Sequence, residues 1–172
     1  NIMTPEGTAG ARLSVCLPKE ENEECGLGHI WVTDFHLYSA DGPEADIPNA
    51  GFEEKADKCS SYPASGWSTD GSVGHPECRR EQQKGIGSCL YLCNPSGSDQ
   101  AVAVCSEIIP LQENSGYTLY FKAKQEGKLK EGFRIVLEFI YSAGGSLGQF
   151  TYTYNRKSMP REGHSAMNMQ CD

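Results

Sequence analysis

The stretch Ile47-Pro48-Asn49-Ala50-Gly51-Phe52-Glu53-Glu54 decides the fold class of this chain, together with Ser65-Gly66-Trp67-Ser68 further on. The proline ends any preceding element, while the asparagine and the first glycine tolerate tight or left-handed backbone. Phe52 is a large apolar anchor, and the carboxylate of Glu53 stands directly beside it. This pattern predicts the entry into a β-sandwich, with Phe52 in the core and Glu53 available to a cation or a backbone donor.

Composition and charge limit the classes of protein and partner. The 172 residues fit one domain, and 19 glycines with 9 prolines suit short strands joined by turns. Fifteen basic against 23 acidic residues give a net charge of −8, which argues against nucleic acid and anionic membrane surfaces as partners. No apolar run is long enough to span a bilayer. We therefore expect no nucleic-acid partner and no membrane partner.

Alternation of apolar and polar residues predicts the strands. Residues 11–17 and 29–38 both alternate, and the turn-like segment between them makes the pair read as a hairpin. Residues 54–88 form a long irregular stretch rich in Gly, Ser, Pro and charge. Further strands are predicted at 88–93, 101–105, 117–124, 133–141 and 149–155. The pattern indicates an all-β chain with antiparallel strands.

Several motifs together resemble β-jelly-roll carbohydrate-binding modules of polysaccharide-degrading enzymes, which are galactose-binding-domain-like. The Asn-x-Gly-Phe-Glu and Gly-Trp motifs at 49–53 and 66–67 resemble the opening of such a module. Gly87-Ser88-Cys89-Leu90 and the segment 116–124 resemble its middle strands. The resemblance implies an antiparallel two-sheet β-sandwich (jelly roll).

The resemblance also implies a function. It would be a non-catalytic carbohydrate-binding module that targets a larger extracellular enzyme to a polysaccharide or oligosaccharide. A second hypothesis is a structural β-sandwich that braces a neighbouring catalytic domain of the same enzyme and binds no glycan. No Gly-x-Ser-x-Gly, P-loop or His-Glu-x-x-His motif is present, so we do not expect an enzyme.

The order of the motifs differs from the family's order. The strand pair that usually closes these modules is matched here at the beginning, by Ala11-Arg12-Leu13 and by the segment 28–35. Either the tail of one module precedes the body of the next, or the module is permuted; we favour permutation, because an isolated hairpin is only marginally stable. We thus expect one module over 1–158, with the hairpin 11–38, the main body 44–155 and a tail or linker at 159–172.

The resemblance implies a structural calcium ion that joins the first and last strands. Glu53 stands at the family's Glu position and Asp34 at the Asp position of the closing strand, while Asn49 or nearby carbonyls could add oxygen ligands. The family tends to have two acidic residues where this chain has Thr33 before Asp34. The alternative is that both carboxylates are solvated residues at strand ends.

Glycan recognition needs aromatic faces beside hydrogen-bonding side chains. Strand alternation places Tyr120, Arg134 and Glu138 outside the core, and we expect them to share one sheet surface as a glycan platform. Tyr62 and Trp67 are further aromatic candidates in the irregular stretch, although the family's Trp commonly packs beneath the early loop. The alternative is that these residues pack in the core or at its rim, as aromatic residues at alternate positions of a strand more often do.

Eight cysteines leave two interpretations open. Secreted disulfides suit the even number, whereas Cys89, Cys93 and Cys105 lie in apolar strands where a free thiol behaves as a small hydrophobe. A zinc site made of His75 and Cys78 with Cys89 and Cys93 is a weaker alternative, because tight Cys-x-x-Cys pairs are missing.

Overall fold

A computed structural model describes residues 1–18, 28–56, 63–69, 77–93, 102–127, 129 and 132–154. These residues contain no helix, and therefore none long and apolar enough to cross a membrane. The strands of this described part are Ile2–Met3 (β1), Thr8–Leu17 (β2), His29–Ser39 (β3), Trp67–Thr69 (β4), Glu77–Gln83 (β5), Gly87–Cys93 (β6), Val102–Pro110 (β7), Gly116–Glu126 (β8), Phe133–Tyr141 (β9) and Ser146–Tyr154 (β10).

The strands form two antiparallel five-stranded sheets. The front sheet has the order β1-β8-β3-β6-β5, and the back sheet has the order β10-β9-β2-β7-β4. The inward side chains of both sheets make one hydrophobic core. The chain is thus an all-β, antiparallel two-sheet sandwich, as the sequence predicts, and its architecture is compatible with a jelly roll.

Alternation along the long strands builds the core. In β8, Tyr117, Leu119 and Phe121 are buried and their neighbours are more exposed, as predicted. At the centre, the ring of Phe35 stacks on that of Trp67 with centroids 5.6 Å apart, and Phe52 lies 5.0 Å from the same indole. The predicted core position of Phe52 is therefore confirmed, since it is fully buried.

The first two long strands belong to the same sandwich as the later ones. Strand β2 pairs with β7 and β9, and β3 pairs with β6 and β8. The expected pairing of 11–38 within the same sandwich as the later strands is therefore present, while a permuted order relative to the resembled family stays a prediction. The predicted hairpin is wrong, because β2 and β3 lie in different sheets. Each of them is the middle strand of its sheet, so both of its edges are occupied by other partners. The expected tail at 159–172 lies outside the described residues.

The stretch 54–88, predicted to be irregular, contains β4 and β5. Among the described strands, β5 is at the edge of the front sheet and pairs with β6 alone. Its sequence is Glu-Cys-Arg-Arg-Glu-Gln-Gln, which lacks apolar alternation because an edge strand with polar contacts on both faces needs few apolar residues. Periodicity therefore could not reveal it.

The opening motif forms a cross-linked loop over one side of the core. Asn49 has a φ of 47° and Phe52 a φ of 54°, so Phe52 rather than the predicted glycine shares the left-handed conformation. The Asn49 amide donates to the carbonyls of Glu54 and Ser65 at 2.9 and 3.1 Å, and its Oδ1 accepts from the Glu54 N–H at 3.0 Å. These three bonds hold the loop closed.

A second contact ties the loop to the Gly-Trp motif. The indole N–H of Trp67 donates to the Pro48 carbonyl at 2.8 Å. Gly66 has a φ of 73°, and a Cβ there would lie 2.8 Å from the Cβ of Pro48. The glycine is thus required by its backbone conformation and by the close approach of the proline. The two halves of the motif are separated in sequence but form one structural unit.

Candidate functional site

A β-bulge in β3 determines which side chains reach the outer face of the front sheet. Ile30 and Val32 point into the core, but so do Phe35 and Leu37, so the inward positions change from even to odd numbers. The register to β8 shifts between Thr33 and His36, where Asp34 has a φ of 58°. The expectation of one continuous alternation through 29–38 is therefore wrong. An uninterrupted strand would have turned Asp34 and His36 into the core.

Beyond the bulge, β3 and β8 carry an open groove of about 510 Å³ on the outer face of the front sheet. Strand β6 pairs with β3 over His29–Val32, and none of the described strands continues this flank beside the groove. The open groove is defined by the following residues: Asp34, His36, Tyr38, Thr118, Tyr120, Phe121 and Lys122.

Aromatic rings form one wall of the open groove. Tyr38 and Tyr120 meet edge to face with centroids 5.4 Å apart, and the imidazole of His36 stacks on Tyr38 at 5.6 Å and 6°. Glu44 Oε1 lies 2.6 Å from His36 Nδ1 and restrains the imidazole. Tyr38 is 42% exposed, which leaves ring surface available to a ligand. These contacts fix the rings before any ligand arrives.

An ion pair supplies polar groups to the same groove. Lys122 Nζ lies 2.5 Å from Asp34 Oδ2, and both side chains are about half exposed. A carboxylate accepts hydrogen bonds from hydroxyls and an ammonium donates to them. The pair is neutral as a unit, so the groove offers hydrogen-bonding capacity without a strong net charge.

The other end of β3, together with β6, carries a closed cluster made of Trp31, Cys89, Tyr91 and Cys93. Trp31 is 7% exposed and Tyr91 is 4% exposed. The indole N–H of Trp31 donates to Glu81 Oε2 at 2.9 Å, and the Tyr91 hydroxyl lies 2.6 Å from Nδ1 of His29.

Cations cover the faces of these two rings. Lys124 Nζ lies 5.0 Å from the Trp31 ring centroid and the Arg79 guanidinium lies 4.2 Å from that of Tyr91. The polar atoms and the ring faces of the closed cluster are thus already engaged within the protein.

The predicted platform of Tyr120, Arg134 and Glu138 is not formed. Tyr120 lies on the outer face of the front sheet, whereas Arg134 and Glu138 are in β9 of the back sheet. The expectation of one shared surface is wrong because β8 and β9 follow each other in sequence but belong to different sheets. Glu138 instead lies 3.7 Å from Arg12 of the adjacent strand.

The remaining aromatic candidates divide between core, groove and the undescribed part. Trp67 is 1% exposed, so the predicted burial beneath the early loop is confirmed and its ring offers no stacking face. Tyr62 lies outside the described residues. His36 and Tyr38 were missed by sequence reasoning. The signal in the sequence was that the apolar positions change from even numbers, at Ile30 and Val32, to odd numbers, at Phe35 and Leu37.

The predicted calcium ligands have other partners. Asn49 is used in closing its loop, Glu53 Oε2 accepts from the Ser88 hydroxyl at 3.1 Å, and Asp34 pairs with Lys122. Glu53 and Asp34 both lie beside Gly51. Because each candidate ligand already has a protein partner, the set in this arrangement does not fit a calcium site. The part of the chain that the structure describes holds no group of three or more His, Cys, Asp or Glu side chains placed for a metal. A structural calcium ion stays an expectation of the sequence resemblance alone, and these contacts do not support it.

The zinc hypothesis is contradicted by the two faces of the front sheet. Cys78 packs against the main core, whereas Cys89 and Cys93 belong to the closed cluster outside it. The sheet separates them, and His75 lies outside the described residues. Burial raises the pKa of Cys78 to about 12 and that of Cys89 to about 11, so both remain thiols at neutral pH.

Comparisons with known proteins identify no family for this chain, so its class is defined by the fold alone. No protein-family model matches the sequence, and no curated protein or solved structure matches it. The class is therefore defined as an antiparallel two-sheet β-sandwich that presents an open aromatic groove on its front sheet.

Proposed function

We propose that this domain is a non-catalytic carbohydrate-binding module and that the open groove receives a neutral polysaccharide or oligosaccharide. The observation that carries the proposal is the pairing of Tyr38 with Tyr120 in a groove that the described residues leave open, with the Tyr38 ring stacked on His36. Aromatic rings stack on the apolar C–H faces of pyranoses, and fixed rings lose little conformational freedom on binding.

The polar groups of the groove suit hydroxyl recognition. Asp34 can accept from one hydroxyl while Lys122 donates to its neighbour, and the side chain of Thr118 lies on the same face. Because the carboxylate and the ammonium neutralise each other, a neutral sugar is favoured over an acidic one. The volume of about 510 Å³ lies within the range of small-ligand sites.

The wider setting follows from the sequence resemblance. The module would belong to a larger extracellular polysaccharide-degrading enzyme and would hold that enzyme on its substrate. A structural brace for a neighbouring domain of the same enzyme is the alternative. The two functions differ in one property, since a brace needs no affinity for any glycan.

The proposal is tested by affinity electrophoresis and calorimetry against a panel of soluble neutral polysaccharides. Tyr120→Ala is expected to lower the affinity by roughly 1.5–3 kcal/mol, or about 10- to 100-fold, because the ring surface buried by the sugar is lost. Tyr141→Ala is the matched control, since Tyr141 is 41% exposed but lies on the back sheet. The control should bind like the parent protein.

Two results would contradict the proposal. Absence of binding to every polysaccharide by the parent protein would favour the structural brace. Equal affinity of the Tyr120 and Tyr141 variants would remove the site from the groove, and a large loss of stability with unchanged affinity would make Tyr120 a packing residue.

A further inference from the structure

We infer that the guanidinium of Arg80 holds the 47–54 loop against the front sheet, in the place that the family resemblance gives to a calcium ion. Two carbonyls of this loop, those of Phe52 and Glu53, face Arg80 in the edge strand β5. This inference concerns the stability of the sandwich and does not depend on glycan binding.

The contacts of Arg80 are those of a cation among oxygen atoms. Its Nε donates to the Phe52 carbonyl at 2.5 Å, and its Nη2 donates to the Glu53 carbonyl at 3.1 Å. The same Nη2 also donates to the Ser88 hydroxyl at 3.2 Å. One side chain thus collects two successive loop carbonyls and a hydroxyl of β6.

The position of Arg80 in β5 explains why these acceptors are needed. Arg80 lies on the same side of β5 as Cys78, two residues earlier, which packs against the core. A charged group on the core side of a strand is costly unless polar partners surround it. The carbonyls of Phe52 and Glu53 meet that need.

Ser88 connects the arginine to the predicted calcium ligand. The buried Ser88 hydroxyl accepts from Arg80 and donates to Glu53 Oε2 at 3.1 Å. The planar guanidinium, with several donors in a fixed fork, is better suited to several acceptors at once than an ammonium group. The positive charge that the calcium ion was expected to bring to Glu53 is therefore supplied by Arg80, which is linked to Glu53 Oε2 by two hydrogen bonds through the Ser88 hydroxyl.

The loop in turn supports the bulge of β3. The Phe35 N–H donates to the Ala50 carbonyl at 3.2 Å, and the Thr33 hydroxyl donates to the carbonyls of Gly51 and Ser88 at 3.3 and 2.7 Å. Through these bonds the loop fastens both sides of Asp34. Arg80 is thus a positioning residue for the backbone that carries the bulge.

The inference is tested by thermal unfolding of the full chain in calcium chloride and in EDTA. The parent protein should melt at the same temperature in both. Arg80→Gln should lower Tm by about 4–10 °C, because two carbonyls lose a charged donor, and Arg80→Lys should fall between the two. Arg12→Gln is the matched control, since its contact to Glu138 is a 3.7 Å surface ion pair, and its Tm should change little.

Two outcomes would overturn the inference. One is a parent protein whose Tm rises with calcium and falls again with EDTA. The other is an Arg80→Gln variant that melts no lower than Arg12→Gln. The calcium comparison needs no variant, so the test stands even if Arg80→Gln does not fold.

Discussion

The two ends of the outer face of the front sheet share strand β3 and have opposite properties. At one end Trp31 and Tyr91 are buried, their polar atoms are bonded and cations lie over their rings. At the other end Tyr38 is 42% exposed and borders the open groove. The difference arises because β6, which carries β5 on its other edge, pairs with β3 only up to Val32.

This comparison shows that aromatic residues on a sheet face do not by themselves mark a binding site. The rings of the closed cluster contact more charged groups, and those groups are the protein's own side chains Glu81, Arg79 and Lys124. The open groove has fewer contacts and more uncovered ring surface. The useful criterion is therefore whether the faces and polar atoms of a ring already have partners.

The largest effect that distinguishes the two ends is expected in the closed cluster. Trp31→Ala should lower the free energy of unfolding by about 3–5 kcal/mol, because a buried indole and its bond to Glu81 are lost. Tyr38→Ala should cost less than about 1 kcal/mol, as is usual for exposed positions. Chemical denaturation of both variants measures the difference.

A control separates the two parts of the tryptophan effect. Trp31→Phe keeps most of the apolar volume and removes the N–H that donates to Glu81 Oε2. We expect it to lower the free energy of unfolding by about 1–3 kcal/mol. If Trp31→Ala and Tyr38→Ala destabilised the protein equally, the distinction between a closed and an open end would not hold.

The second prediction concerns the bulge that separates the two ends. Asp34→Val should destabilise the protein by about 1–3 kcal/mol, because a β-branched residue is strained at a φ of 58°. Asp34→Gly should be close to neutral in the same denaturation experiment, since glycine adopts that conformation freely. A valine variant as stable as the glycine variant would contradict the assignment of this strained position.

The third effect is a pH dependence that originates in the closed cluster. Burial, followed by the neighbouring Glu81, raises the pKa of Cys89 from 9.0 to about 11. The unfolded chain therefore loses this thiol proton first, so the free energy of unfolding should fall as the pH rises from 9 to 11. Cys89→Ser, which does not titrate there, should show a shallower slope in reducing buffer. Identical slopes would contradict the raised pKa.

The sequence predicts the fold class well because the core-forming strands carry a regular pattern. Alternation in 117–124 and 133–141 gives the correct inward residues, and the opening motif gives the buried Phe52 and Trp67. The edge strand β5 escapes this method because its polar side chains on both faces leave no apolar period.

The candidate site was only partly predictable, because it depends on which strands share a sheet. Tyr120 was identified from alternation, but Arg134 could be excluded from its surface only by the sheet order. The outward position of Tyr38 was not predicted, because the bulge at Asp34, which has a positive φ, reverses which residues of β3 face the core. Local patterns do not encode these long-range pairings.

The central claim is that the open end binds a glycan and the closed end does not, and NMR of tyrosine-labelled protein tests it most directly. The protein is titrated with the polysaccharide that binds best in the panel, and the ring signals of the tyrosines are followed. We expect the signals of Tyr38 and Tyr120 to shift and to saturate together, while that of Tyr91 stays unchanged. Shifts at Tyr91 without shifts at Tyr38 and Tyr120, or no shift at any of the three, would contradict the account.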